Sequence, residues 1–432
     1  MQLISYPPTS TWESIIERPT PSFEDIEQTV ADLFKEVQSK GENAIFKYTE
    51  LFDGVALKSL AVNEDEIKEA ISLVDDELKQ AISIAKHNIE AFHQAQKTPR
   101  VEVETQRGVK CWQEKRAIQK VGLYIPGGSA PLFSSVLMLA IPAKIAGCEE
   151  IVLCSPPNKE GKIHPAIIYA AQLCGVTKIF KVGGIQAIAG MTFGTTSIPK
   201  VFKILGPGNQ FVTVAKQYAT RYNIAIDMPA GPSELLVMAD ESAIPSFVAA
   251  DLLSQAEHGA DSQVILVSTS ISLVEKVQAE IKLQLQNLPR VDVATKAIAN
   301  SKIILLEDNQ KALDFINAYA PEHFIVATKD NAFFVENIQN AGSVFVGNYT
   351  PESAGDYASG TNHTLPTNTY ARQYSGVNLD SFTKSITFQE IQPEGINNIG
   401  KVVELMAEAE GLFAHKNAIS LRINYVEEAK NK

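Results

Sequence analysis

The chain has 432 residues, 45% apolar and 20% charged, with a formal net charge of −12, the balance of a globular protein rather than a fibrous or disordered one. The acidic excess, with no run of lysine or arginine, argues against nucleic acid or an anionic membrane as partner. No apolar run reaches membrane-spanning length and the opening MQLISYPPTSTWES has neither a basic nor an apolar signal region, so a cytoplasmic location is expected.

This length is large for one core and implies two principal domains with appendages. Residues 1–20, with Pro7, Pro8, Trp12 and Pro19, show no period and read as an N-terminal arm laid on something else. Helical spacing starts at Ser22 and runs through Ile26, Val30, Leu33, Phe34 and Val37 to Gly41; it resumes over 64–97. Residues 101–120 are polar and β-leaning around Trp112. From Val121 the texture changes to strand–helix alternation: VGLYIP, a Gly/Pro loop (126–133), a helix, EIVLCSPP, helix 164–173, KIFKVGG, helix 185–190, KVFKILGPG, helix 209–221 and IAIDMPAG. LLVMAD, QVILVST, KIILLE, HFIVATK and SVFVGN continue it, with helices between them. Continuous apolar strands separated by helices predict α/β architecture, with parallel sheets covered on both faces. We expect two tandem Rossmann-like sheets, joined near GPSE (231–234), although no GxGxxG occurs. Residues 349–377 form a long polar loop of the kind that carries function. A helix (398–410), the EGLFAH segment and a charged tail follow.

The four cysteines (Cys111, Cys148, Cys154, Cys174) show no CxxC spacing, and Cys154 and Cys174 sit in apolar core-like settings. That counts against cysteine-nucleophile chemistry. In DLLSQAEHG, Asp251, Gln255 and His258 fall at i, i+4 and i+7, one polar stripe beside an apolar one. Downstream, APEH, AGDYASGTNH and EGLFAH each place a His or carboxylate beside Gly, Pro or Asn. His258, His323, His363, His415 and Asp356 are thus candidate metal donors, and the adjacent Glu322 and His323 suit proton and water chemistry. GPGNQF (206–211) puts backbone amides and Asn209 at a helix start, where a phosphate or nicotinamide group could be met; PGGSAP and VGGIQ occupy matching positions. All three loops would line the carboxyl edge of one sheet, where open α/β sheets bind ligands.

The blocks GLYIPGGSAPLFSSVLMLAIPA, VGGIQAIAG, GPGNQFVTVAK, AIDMPAGPSE, DLLSQAEHG, NAYAPEH, ESAGDYASGTNHTLPT and EGLFAH, in this order, together resemble the histidinol dehydrogenase family. The resemblance implies oxidation of L-histidinol to L-histidinal and then L-histidine, with two NAD+ per turnover and one Zn2+ per site. It implies zinc ligands at Gln255, His258, Asp356 and His415, with Zn2+ as a substrate-orienting template. Substrate contacts are implied at Ser233, Gln255, His258, His323, Asp356, His363, Glu410 and His415, and NAD+ contacts at Tyr124, Gln186 and Asn209. His323 would take the alcohol proton and Glu322 would activate the water that adds to the aldehyde. The family also implies an intertwined homodimer with shared active sites. The expected organisation is then an arm (1–20), a zinc and substrate domain (21–120 with 233–377), an NAD-binding-like domain (121–232) and an extension (378–432) reaching the partner subunit. SPPNKEGKIHPAI (155–167) reads as a surface insertion. Rival readings are a zinc-dependent hydrolase using the same ligands, a binding protein without turnover, and a homologue oxidising a related amino alcohol or sulfonate, for which Glu410 would be decisive.

Overall fold

A computed structural model of the protein describes residues 1–18, 24–127, 131–229 and 231–430. The helix start expected at Ser22 and part of the Gly/Pro loop (128–130) lie outside the described residues. In chain order the strands are β1 (Gln2–Ser5), β2 (Val101–Gln106), β3 (Val109–Ala117), β4 (Lys120–Tyr124), β5 (Glu150–Ser155), β6 (Lys178–Lys181), β7 (Lys203–Leu205), β8 (Ala225–Ile226), β9 (Glu234–Ala239), β10 (Gln263–Ser268), β11 (Lys302–Leu305), β12 (His323–Ala327), β13 (Ser343–Val346) and β14 (Thr383–Ile391). Two units are distinguished: Met1–Gln96 with Ile118–Phe382, and Lys97–Ala117 with Thr383–Lys432.

The first unit holds two parallel sheets. One has the order β6-β5-β4-β7-β8. Its strand residues alternate between two cores, as a period of two requires. Val121, Leu123, Ile151 and Leu153 point to the helices Phe133–Ala146, Pro165–Leu173 and Asp76–Ala95. Tyr124, Val152, Cys154 and Ile204 point the other way, to the helices Glu24–Lys40, Gly184–Phe193 and Gln210–Ala219. Each fully buried Val, Leu or Ile contributes ~1.5–3 kcal/mol relative to exposure, so a charge at Val152 would break this layer. Here the structure corrects the expected grouping of 21–120 with 233–377. Val30, Leu33, Phe34 and Val37, like Ile82 and Ile89, pack on the β4–β7 sheet, and β2 and β3 belong to the other unit. Periodicity shows which face of a helix is apolar but not which sheet will cover it.

The second parallel sheet has the order β1-β11-β10-β9-β12-β13. Its edge strand β1 comes from the N-terminal arm, paired in register with β11 from Gln2↔Lys302 to Ser5↔Leu305. The arm is further fixed by Trp12, which is buried edge-on against Phe315 (centroids 5.3 Å apart) and donates to the Pro7 carbonyl at 3.1 Å. Two helices missing from the sequence reading, Val291–Ala299 and Glu352–Tyr357, complete this half.

In the second unit β14 and β2 flank β3 in an antiparallel sheet, with Trp112 stacked on Phe388 at 5.2 Å. Two helices follow, Pro393–Ala409 and Phe413–Lys430, where one helix and a tail were expected. Ile419, Leu421, Ile423 and Tyr425 alternate like a strand. The chain nevertheless forms a helix that buries Ile419, Ile423 and Val426 at helical spacing against Ile396 and leaves Leu421 and Tyr425 exposed.

Candidate active site

The chain enters β12 through Ala320, which caps the preceding helix in the left-handed region (φ 53°), and then Pro321. This turn delivers Glu322 and His323 beside the start of β9. Both are buried and both are held by the main chain of Glu234: its N–H donates to Glu322 Oε2 at 2.8 Å and its carbonyl lies 3.2 Å from His323 Nδ1. A carbonyl only accepts, so Nδ1 carries a hydrogen. Nε2 is buried without a hydrogen-bond partner and faces Asp356 Oδ1 at 3.7 Å. The pair sits at the amino ends of β9 and β12, whereas the Gly-rich loops follow the carboxyl ends of the other sheet's strands.

The helix Glu352–Tyr357 adds two acids at i and i+4. His323, Glu352 and Asp356 present ligand atoms that all lie within 4.8 Å of one another. Burial alone would push the His323 imidazole down, but Glu352, Glu322 and Asp356 together hold it well above its usual value. Burial pushes the Glu352 carboxyl up to about 8, even though the neighbouring His323 opposes this. Asp356 is held low despite its burial, chiefly by its contact with His323. Glu352 was missed in the sequence; the signal was an acid four residues before Asp356, just after Pro351.

The helix Pro245–Ala256 brings up Gln255, fully buried. With its amide oriented to satisfy both neighbours, it donates to Glu352 Oε1 and accepts from the Glu234 N–H at 3.2 Å. Asp251, one turn back, is pushed up to about 7 by burial. The helix stops at Ala256, so His258 lies beyond its end rather than on its face, and is exposed.

His258 lines a cavity of about 300 Å³ together with Ser233, Asn209, Pro207 and Leu132. Asn209 caps the helix Gln210–Ala219, accepting from the Val212 N–H at 3.1 Å. The loop before it is tightly held. Lys216 Nζ donates to the Gly206 carbonyl at 2.8 Å and pairs with Asp227, whose other oxygen accepts from the Gly206 N–H at 2.8 Å. Gly206 has φ 133°, and a Cβ there would meet the Tyr124 carbonyl oxygen at 2.1 Å, so no other residue fits. Tyr124 Oη accepts from the Gly184 N–H at 3.1 Å. Gln186 donates to Asp53 at 3.3 Å, while its buried Oε1 has no partner; burial pushes Asp53 up to about 6. Neither Tyr124 nor Gln186 lines the cavity that contains Asn209. A larger hollow of about 400 Å³, by Ala61, Thr177 and Lys178, has no carboxylate or imidazole in its wall.

His363 Nδ1 donates to the Asp356 carbonyl at 2.9 Å, leaving Nε2 to accept from Ser135 Oγ at 3.1 Å. His93, on the helix Asp76–Ala95, is completely buried and accepts from Asn362, the neighbour of His363, at 3.3 Å. Glu410 and His415 belong to the second unit, at the end of one helix and the start of the next, and both are exposed.

The family model described as histidinol dehydrogenase matches residues 16–423. A histidinol dehydrogenase of Bacteroides fragilis is 58% identical over 426 residues, covering 99% of this chain and 100% of its own. One from Bacteroides thetaiotaomicron is 58% identical over 424 residues, covering 98% and 99%. The crystal structure of histidinol dehydrogenase from Elizabethkingia anophelis superposes with a TM-score of 0.97 at 54% identity, covering 99% of each chain.

Proposed function

The chain belongs to the histidinol dehydrogenase family, and from that premise we propose that it oxidises L-histidinol to L-histidinal and then to L-histidine, using NAD+ and zinc. The observation that carries the reading is the buried Glu322–His323 pair, with Nε2 of His323 unpartnered beside Glu352, Asp356 and Gln255.

The residues suit a metal. Three carboxyl groups surround one imidazole in a buried pocket, where their crowding favours protons on Glu352 and His323, and a divalent cation could take the place of those protons. Gln255, His258 and Asp356 would hold zinc from this chain, with His415 from a second copy, and the ion would grip the amine and imidazole nitrogens of the substrate. NAD+, held at Tyr124, Gln186 and Asn209, would accept a hydride in each step; the orphaned Oε1 of Gln186 supports a donor-bearing ligand there.

The protein groups handle the protons. Nδ1 stays on the Glu234 carbonyl, so Nε2 is the nitrogen that would take the hydroxyl proton of the alcohol, once a bound cation offsets the acids that otherwise keep the ring protonated. Glu322, anchored through one oxygen, takes a proton from the water that adds to the aldehyde while His323 returns the alcohol's proton to the carbonyl oxygen, and the freed Nε2 then takes a proton from the resulting diol. Ser233 and His363 would contact the substrate from this chain, and Glu410, a carboxylate matched to a basic imidazole, from the second copy. A homodimer with shared sites is supported by the unpartnered apolar side chains of the C-terminal helices, among them Leu405, Met406, Phe413, Leu421 and Tyr425. Among the described residues no helix is long and apolar enough to cross a membrane, and we assign the enzyme to the cytoplasm.

The test is the amount of NADH formed per histidinol consumed, with and without a chelator. Two equivalents, lost on chelation and regained with zinc, are expected. A zinc hydrolase would form none, and an oxidase of the alcohol alone would stop at one.

A further inference from the structure

We propose that Arg18, carried by the N-terminal arm, is a positioning residue for the Glu322–His323 pair and acts on it through Glu234. This rests on the reading above, in which that pair does the proton transfer.

Arg18 clamps the Glu234 carboxylate with two parallel bonds, Nε to Oε1 at 3.0 Å and Nη2 to Oε2 at 2.9 Å. Its own position is fixed by the carbonyls of Tyr319 (2.7 Å) and Ile16 (3.0 Å), and its guanidinium lies 3.7 Å from the centre of the Tyr319 ring. The two charged side chains are only 3% and 1% exposed. Glu234 Oε1 also accepts from the Asn368 N–H at 2.8 Å, in the long polar loop. The main chain of the same glutamate holds the reactive pair, its N–H on Glu322 and its carbonyl on His323 Nδ1. One residue thus joins the arm, the start of β9, the start of β12 and the polar loop.

Stability alone does not explain such a pair. Taking two charges out of water costs about what their attraction returns, and apolar replacements of similar shape often do as well. What a bidentate arginine adds is a fixed direction. Without Arg18 the buried carboxylate of Glu234 loses its main partner, and whether it takes up a proton or moves toward other donors, the fixed direction that the arginine gives to the start of β9 is lost. Both bases are hydrogen-bonded to the main chain of that segment, and a misplacement of about 1 Å near reacting groups can cost on the order of a hundred-fold in rate.

The experiment compares the zinc-loaded enzyme with Arg18→Met, Arg18→Lys, Glu322→Gln and His323→Asn, and with Arg18→Met combined with Glu322→Gln, in histidinol and histidinal oxidation. Arg18→Met is expected to lower kcat with histidinal by roughly ten- to a hundred-fold and to leave KM for histidinol within about two-fold. Arg18→Lys should recover part of that loss. In the Glu322→Gln background the same change should cost distinctly less than in the wild type, because one of the two groups it positions is already disabled. A wild-type kcat for Arg18→Met, or a loss that multiplies in full on Glu322→Gln, overturns the proposal while leaving the acid–base assignment intact. If Arg18→Met does not fold, Arg18→Lys carries the same comparison. Normal turnover of both Glu322→Gln and His323→Asn would defeat the acid–base assignment itself, and the proposal with it.

Discussion

Asn362 donates through its amide to the carbonyl of Met138 at 2.6 Å. That acceptor is free because the residue four positions on is Pro142, inside the helix Phe133–Ala146, and proline has no N–H to give. The same amide reaches His93 Nε2 at 3.3 Å, and Oδ1 accepts from the Thr364 N–H at 3.0 Å. A defect in one helix therefore anchors the loop that carries His363. Asn362→Ala would leave a buried carbonyl and an imidazole nitrogen unsatisfied, at a cost of ~1–3 kcal/mol. Urea midpoints should show this. Pro142→Ala restores a helical donor to Met138, so the Asn362→Ala penalty should shrink in that background; equal penalties in both would mean that the Met138 contact adds nothing.

Acid sensitivity follows from the same corner. Burial lowers the pKa of His93 from the ordinary 6.5, so the folded protein holds this imidazole neutral while the unfolded chain protonates it more readily. A group depressed in this way supports stability fully above 6.5, and the support is lost as pH falls through the folded value. His93→Gln keeps a polar side chain but cannot titrate. Its stability should fall less steeply than the wild type's as pH drops from about 7 to 5, measured as the change in urea midpoint. Parallel curves would show that His93 is not the titrating group.

How much of this could be read beforehand depended on the type of signal. The parallel strands β5, β9, β10 and β12 announce themselves because they are buried on both faces and so appear as nearly unbroken apolar runs. The helix carrying Glu352 did not, since its six residues have no room for a period. Glu322 and His323 were visible as neighbours in APEH, but the group that holds them, Glu234, lies 88 and 89 positions away in sequence and acts through its main chain. β1 was hidden for a similar reason: QLIS is too short to stand out, and its partner β11 lies some 300 residues downstream. His258 shows the converse error, in which ideal helical spacing was carried past the true helix end.

Gly355 is the point at which the helix Glu352–Tyr357 meets the sheet. A Cβ there would lie 2.5 Å from Phe345 Cε1, and Phe345 is buried 5.9 Å from the His323 ring. Gly355→Ala must therefore lift the helix that presents Glu352 and Asp356. Overpacking of this kind costs ~1–3 kcal/mol, and the acids would move from His323. We expect a lower thermal midpoint together with weaker zinc binding, read by competition with a chromogenic chelator. A destabilised variant that still bound zinc with wild-type affinity would show that Phe345 gives way instead.

Metal loading should be most sensitive at Asp356, the one acid of the cluster that its neighbours keep ionised. Asp356→Asn preserves shape and removes the charge, so zinc retention during dialysis should fall well below that of the wild type. Because ligands must be deprotonated to bind, zinc affinity should also weaken as pH drops. Adding zinc to metal-stripped wild-type protein should raise the thermal midpoint, through binding to the folded state alone, and this gain should be largely absent in Asp356→Asn. If the variant kept both its zinc and the thermal gain, the ion would be held elsewhere and the cluster of His323, Glu352 and Asp356 would have to be explained by proton chemistry only.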